Sequence, residues 1–148
     1  MKTFVTILLL TALGFTASAQ FKLTKSDLLA GAQYAISGVL WGAHEAYQAD
    51  PYVFESNGFD GQFWAHDAWK NKYIGRNPEN GMKANRWLGH TFRDVDHFTG
   101  TFNNAFAVSG TATVCLQDQG NWKHKALKVL AGVAVRSLFA SATYRVLR

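Results

Sequence analysis

A single cysteine, two prolines and no more than 10 acidic side chains stand among 148 residues. One cysteine excludes an internal disulfide, so no covalent staple holds the fold. Its setting, Ala112-Thr113-Val114-Cys115-Leu116, predicts a buried thiol that acts as a small hydrophobe. A nucleophilic role would need a base beside it, and no histidine is near in sequence. The chain also lacks a Gly-x-Ser-x-Gly elbow, a His-Glu-x-x-His motif and a glycine-rich phosphate loop, and with them the reaction classes those motifs announce. No internal repeat or low-complexity tract occurs. The length suits one domain.

Positive charge is what the chain has in excess, 15 lysines and arginines giving a net +5. The cations gather at Lys70, Lys72, Arg76, Lys83, Arg86 and Arg93, and again at Lys123, Lys125, Lys128, Arg136, Arg145 and Arg148. Lys2, the apolar stretch from Phe4 to Phe15 and Ala17-Ser18-Ala19 form the three regions of a secretory signal peptide, with cleavage after Ala19. That apolar stretch is about 12 residues, short of the ~20 that span a bilayer. Residues 1–19 are therefore read as a signal peptide and 20–148 as a single helical domain. An exported basic protein meets anionic lipid or envelope polymer first. No nucleic-acid-binding motif accompanies the charge, and no nucleic acid is expected.

The pattern predicts a mainly α fold of three to four helices with a long aromatic loop excursion. Thr24-Lys25-Ser26-Asp27 starts a helix, with Thr24 or Ser26 as cap and Asp27 in the first turn, running from Asp27 to about Tyr47. On it Gly31, Ala35, Gly38 and Gly42 form one small-residue face, which implies close approach of another backbone, as in membrane helix packing. Pro51 ends this region. From Tyr52 to Gly81 the chain is rich in aromatics and polar residues, a mixture suited to an interface. A short helix is expected near Gln62 to Lys70, and a turn at Asn77-Pro78-Glu79-Asn80-Gly81. A second long helix is expected from Met82, bent near Gly100 and weakened at Gly110. After a turn at Gln117 to Asn121, with Asn121 as cap, the last helix runs from Trp122 to about Val146. It is either amphipathic and soluble, or membrane-inserted with Arg136 facing protein.

The densest chemistry lies in Trp87 to Phe98. In a helix His90, Asp94 and His97 share one face at i, i+4 and i+7. Imidazole and carboxylate at that spacing could hold a divalent metal. Asp94 and His97 also form a D-x-x-H, akin to the Glu-x-x-His of di-metal bundles, which need two such pairs. His44 would supply a further ligand, and Glu45 a general base or fourth ligand, if the two helices pack side by side. The structural alternative is a polar face in which Arg93 and Asp96 pair locally, or a His–Asp pair that holds helices together. His66-Asp67 could lie near the same site, although an adjacent aspartate rarely meets its neighbour's ring. His124, between Lys123 and Lys125, is expected in solvent. A second cluster, Trp69-Lys70-Asn71-Lys72-Tyr73, sets cations among aromatics, as suits a lipid headgroup or polyanion.

The order of these features resembles a loose family of small bacterial envelope proteins with an early apolar helix, a W-x-N-K-Y aromatic loop and a helix with D-x-x-H. The matching residues are Trp69, Asn71, Lys72 and Tyr73, then Asp94 and His97, within Leu28 to Phe98. Arg93 and Asp96 make the D-x-x-H surroundings more polar than the pattern, which argues against full membrane burial. The resemblance implies an envelope location and a paired role for Asp94 and His97, and no activity. The leading expectation is an exported, membrane-associated structural or binding protein, partnered by membrane lipid or another envelope protein. The alternatives are a metal-dependent hydrolase built on the His/Asp/His face, and a soluble periplasmic module that binds an anionic polymer through Lys70, Lys72 and Arg76.

Overall fold

The structure, a computed structural model, describes residues 23–83 and 91–148. The expected signal peptide and His90 lie outside the described residues. Three long helices dominate. The first, α1 (Lys25–Ala49), opens on a capping box: Thr24 Oγ1 accepts from Asp27 N at 3.2 Å while Asp27 Oδ2 accepts from Thr24 N at 2.9 Å. These reciprocal bonds satisfy two donors that the first turn would otherwise leave open. A one-turn helix, α2 (Val53–Ser56), follows Pro51. Then come α3 (Val95–Gln117) and α4 (Trp122–Leu147), the latter capped by Asn121, whose side chain accepts from His124 N at 3.0 Å.

The expected continuous helix from Met82 through the His/Asp motif is interrupted within the described residues. Met82 pairs with Tyr73 in an isolated bridge, and Asp94 is extended (φ −147°, ψ 157°) as the N-cap of α3. An aspartate side chain there accepts a backbone N–H of the first turn, which stabilises a helix start in place of a helix interior. The break or bend expected near Gly100, with Gly110 a weak point, does not interrupt the helix, because α3 runs unbroken through both. Each glycine instead makes room for a ring of α1: a Cβ on Gly100 would lie 3.3 Å from the His44 ring, and one on Gly110 3.1 Å from Tyr34. The helix expected near Gln62 to Lys70 is a 3₁₀ turn over Ala68–Lys72.

Helix α1 is the middle of the layer, flanked by α3 and α4, which scarcely meet each other. Gln33, Ser37 and His44 of α1 meet Ser109, Asn103 and Asp96 of α3 in falling order, so these two run antiparallel. The α1–α4 flank is a close approach. A Cβ on Gly38 would overlap the Arg136 carbonyl, and one on Gly42 the Ala140 carbonyl. The small-residue face thus explains two of its members. Gly31 faces open space.

The main apolar cluster lies at one end. Ala43, Ala46, Tyr47, Val53, Phe54 and Val95 form it, with Phe63, Trp64, Tyr144 and Leu147 packed on its edge. The opposite end is tied by an ionic cluster. Lys128 Nζ lies 2.5 Å from Asp27 and 2.6 Å from Asp118, joining the start of α1 to the α3–α4 turn and α4. His124, expected in solvent, approaches the same Asp118 at 3.6 Å. Cys115 is exposed. The apolar pattern around it failed to place it because α3 turns Val114, not Cys115, inward.

Two measurements test this layout. Gly42→Val should cost about 1–3 kcal/mol in denaturant unfolding through overpacking, whereas Gly31→Ala should gain ~0.5–1 kcal/mol; equal effects would contradict the packed flank. The Lys128 ammonium, bonded to Asp118, and the Gly120 N–H hold that carboxyl below its ordinary value of 3.8. A lowered carboxylate contributes stability above its unfolded value and loses it as pH falls through the folded one. Acid should therefore weaken the fold below about pH 4, and Lys128→Met should lower stability at neutral pH and flatten that fall.

Candidate functional site

The described histidines at the core end form three separate carboxylate pairs. Asp94, 2% exposed, accepts from His97 N at 2.8 Å, and its Oδ1 and Oδ2 lie 2.8 and 3.0 Å from His97 Nδ1. One carboxylate thus both caps α3 and orients the i+3 imidazole. His44 Nδ1 lies 3.0 Å from Asp96 Oδ1 without the alignment of a hydrogen bond, and Gln48 Nε2 donates to that same oxygen at 2.7 Å. His66 pairs with Glu55, not with the adjacent Asp67: its N donates to Glu55 Oε1 at 2.9 Å and its Nδ1 is 3.1 Å away. These bonds hold the Glu55 carboxyl below its ordinary value. The ring of Tyr52 stacks on His66 at 4.2 Å.

The sequence-derived set is therefore divided. Asp94 and His97 are together, His44 stands with Asp96 and Gln48, and His90 lies outside the described residues. Glu45 is exposed and accepts from Trp41 Nε1 at 3.0 Å on its own helix. Among the described residues no three His, Cys, Asp or Glu side chains gather as a metal site would require. The helical-face spacing behind the ligand set does not apply, because the chain is extended at Asp94. The local Arg93–Asp96 pairing is replaced too: Asp96 turns to α1, and Arg93 Nη1 donates to the Lys72 carbonyl at 3.4 Å.

The W-x-N-K-Y stretch reaches the same place by another route. Asn71 Nδ2 donates to Gln62 O and to Arg93 O, both at 2.7 Å. Val95 N donates to Phe63 O at 3.0 Å. The motif asparagine thus clamps the aromatic segment onto the residue before Asp94. Tyr47 Oη donates to His66 O at 3.1 Å, and Asn57 Nδ2 to Leu147 O at 2.8 Å, so α1 and α4 hold the segment as well. Trp69 and Tyr73 stand edge to face at 6.1 Å, with Lys72 Nζ 6.0 and 5.4 Å from the two rings and Lys70 Nζ 5.8 Å from Trp69. Arg76, at φ 60°, adopts the left-handed region that non-glycine residues avoid, and its guanidinium is held by the Asp67 carboxylate.

A further polar network lies midway along the helices. Ser37 Oγ lies 2.8 Å from Asn103 O and 3.0 Å from Asn103 Oδ1. Arg136 Nη2 donates to Asn103 Oδ1 at 2.8 Å, and its Cζ sits 4.5 Å from the Trp41 ring centroid. Nearby, Gln33 joins Ser109 and Thr113, and Tyr34 Oη meets Thr111 Oγ1 at 2.8 Å. Arg136 facing protein was one of two alternatives offered by the sequence, which did not single out Asn103 or Ser37. The only signal was two uncharged polar residues within apolar helical runs.

No protein-family model, no curated protein and no solved structure matches this chain. The site rests on its own geometry.

Asp94→Ala should destabilise the chain by about 1–2 kcal/mol through the lost cap and release the His97 ring. Asp94→Asn, which keeps a cap acceptor, should cost less. Equal losses, read by denaturant unfolding, would show that capping is not what Asp94 contributes.

Proposed function

We propose that this is an exported, membrane-associated protein of the bacterial envelope, structural or binding in kind, whose His–Asp pairs organise its fold. One observation carries the reading: the long helices meet through small and polar groups and turn their large apolar side chains outward. Gly38, Gly42, Ser37, Gln33 and Asn103 face neighbouring helices. Ile36 and Val39 of α1, Val108 and Leu116 of α3, and Leu130, Leu138 and Phe139 of α4 are exposed. Helices that associate within lipid use small residues and interhelical hydrogen bonds in this way, because lipid supplies no hydrophobic drive between them. Helix α4 is also apolar and long enough to cross a membrane. The signal-peptide pattern of residues 1–19 supports export. In this reading the Trp69, Lys70, Lys72 and Tyr73 surface lies at the headgroup boundary, where an aromatic body and a cation are both favoured.

The anionic-polymer reading draws its support from that same surface, since Lys70 and Lys72 flank an exposed Trp69. Salt separates the two, because exposed charges are screened over roughly 3 Å at 1 M. The mature chain should float with phospholipid vesicles and stay with them at high salt. The double variant Leu130→Glu, Leu138→Glu, altering two outward residues, should remain helical and leave the vesicles. Release by salt alone, or unchanged flotation of the variant, would overturn the membrane reading.

A further inference from the structure

We propose that the cleft between α3 and α4 binds an anionic phospholipid, with an acyl chain along the cleft and its phosphate paired to Arg136. The inference deepens the membrane reading and rests on it for the source of the lipid. Because α3 and α4 scarcely meet, they leave an open groove of about 450 Å³, within the ~300–1,000 Å³ of small-molecule sites. Tyr34 of α1 contributes to the floor, Ala107, Val108 and Thr111 of α3 form one wall, and Val133 and Arg136 of α4 the other. The lining is apolar apart from hydroxyl groups and one guanidinium.

That guanidinium lacks an anion. No carboxylate of the described residues lies within ion-pair distance of Arg136. Its partners are one amide oxygen, from Asn103, and the face of Trp41. Its Nε is buried without a hydrogen-bond acceptor. A guanidinium carries five donors in a planar fork, and removing a charge from water without a counter-charge is unfavourable. An Arg fork suits a phosphate, which accepts two parallel N–H bonds. An apolar groove that ends on an unpaired arginine thus matches an amphiphile with an acidic head. Trp41 and Asn103 pre-position the fork, and the ligand supplies the missing charge.

The test compares binding of lysophosphatidylglycerol with that of the monoacylglycerol of equal chain length, below their micellar concentrations, by titration calorimetry on the mature chain. The wild type should prefer the anionic lipid by about tenfold or more, as for a charge-assisted pair. Arg136→Gln should abolish the preference. Ala107→Phe, which fills the groove and keeps the charge, should weaken both lipids. Lys25→Gln, an exposed cation at the start of α1, should change nothing. Equal affinity of the wild type for both lipids would overturn the proposal. So would a preference that survives Arg136→Gln. Light scattering that finds a dimer dispersed by Ala107→Phe, with no lipid bound, would overturn it in favour of a second copy in the cleft. Circular dichroism checks each variant; should Arg136→Gln lose its helix, unchanged lipid binding by a folded Ala107→Phe is the overturning result. Flotation with vesicles but no headgroup preference would retain the membrane reading and remove this one. Selective lysolipid binding without flotation would do the reverse.

Discussion

The close approach of α1 and α4 at Gly38 and Gly42 sets the geometry on which the remaining contacts depend. A side chain at either glycine would meet an α4 carbonyl, so these two backbones can come together only along this stripe. With α4 so near, Gly132 receives the face of Tyr34, where a Cβ would overlap the ring. The Cδ2–Cε2 edge of that ring also rests against Gly110 of α3, and its hydroxyl meets Thr111. Tyr34 is thus a wedge between the two outer helices. It keeps α3 and α4 apart and so creates the cleft. The same approach brings Arg136 across to Asn103 on α3, which ties together helices that hardly touch directly.

The molecule divides its stabilising chemistry by position along the helices. At one end, aromatic packing prevails: Phe54 meets Phe59 edge to face and Trp64 at a tilt, and Phe63 reaches Phe98 at the start of α3. The aromatic segment is fixed there through backbone acceptors by Asn71, Tyr47 and Asn57. At the other end, Lys128 serves two aspartates at once. Between the ends there is little apolar interior, and hydrogen bonds and glycine contacts join the helices. Such bonds contribute about 0.5–1.5 kcal/mol each in water, so the middle of the layer is held by many modest terms.

Helix existence and caps were legible in the sequence because they depend on local chemistry. Thr24 with Asp27, and Asn121 before Trp122, are signals complete within one turn. For His90, Asp94 and His97 the spacing suggested one helical face, whereas Asp94 is extended and caps α3, and His90 lies outside the described residues. A periodic pattern cannot reveal that Asp94 serves as a cap, since an aspartate suits a cap as well as a helix surface. That choice is made by long-range contacts, from Asn71 to Arg93 O and from Phe63 O to Val95 N. The Glu55–His66 pair, across an irregular segment, had no periodicity to announce it. Gly100 and Gly110 looked like breaks because glycine is costly within a helix. Their reason, room for His44 and Tyr34, belongs to another helix.

Helix α4 supplies the sharpest argument about the environment this architecture suits. Its buried residues are Gly132 and Ala140, while Leu130 and Leu138, two positions earlier in each case, face outward. A rotation of the helix would bring leucines to α1 and send glycine to the surface. In water that alternative would be favoured by roughly 1.5–3 kcal/mol for each large side chain buried. Against lipid the gain vanishes, because acyl chains solvate leucine as well as a protein interior does. The glycine contacts and the Arg136–Asn103 bond then decide the orientation. Under the proposed membrane reading the observed face of α4 is therefore the favoured one, and it is the face that turns Arg136 towards Asn103 and Trp41.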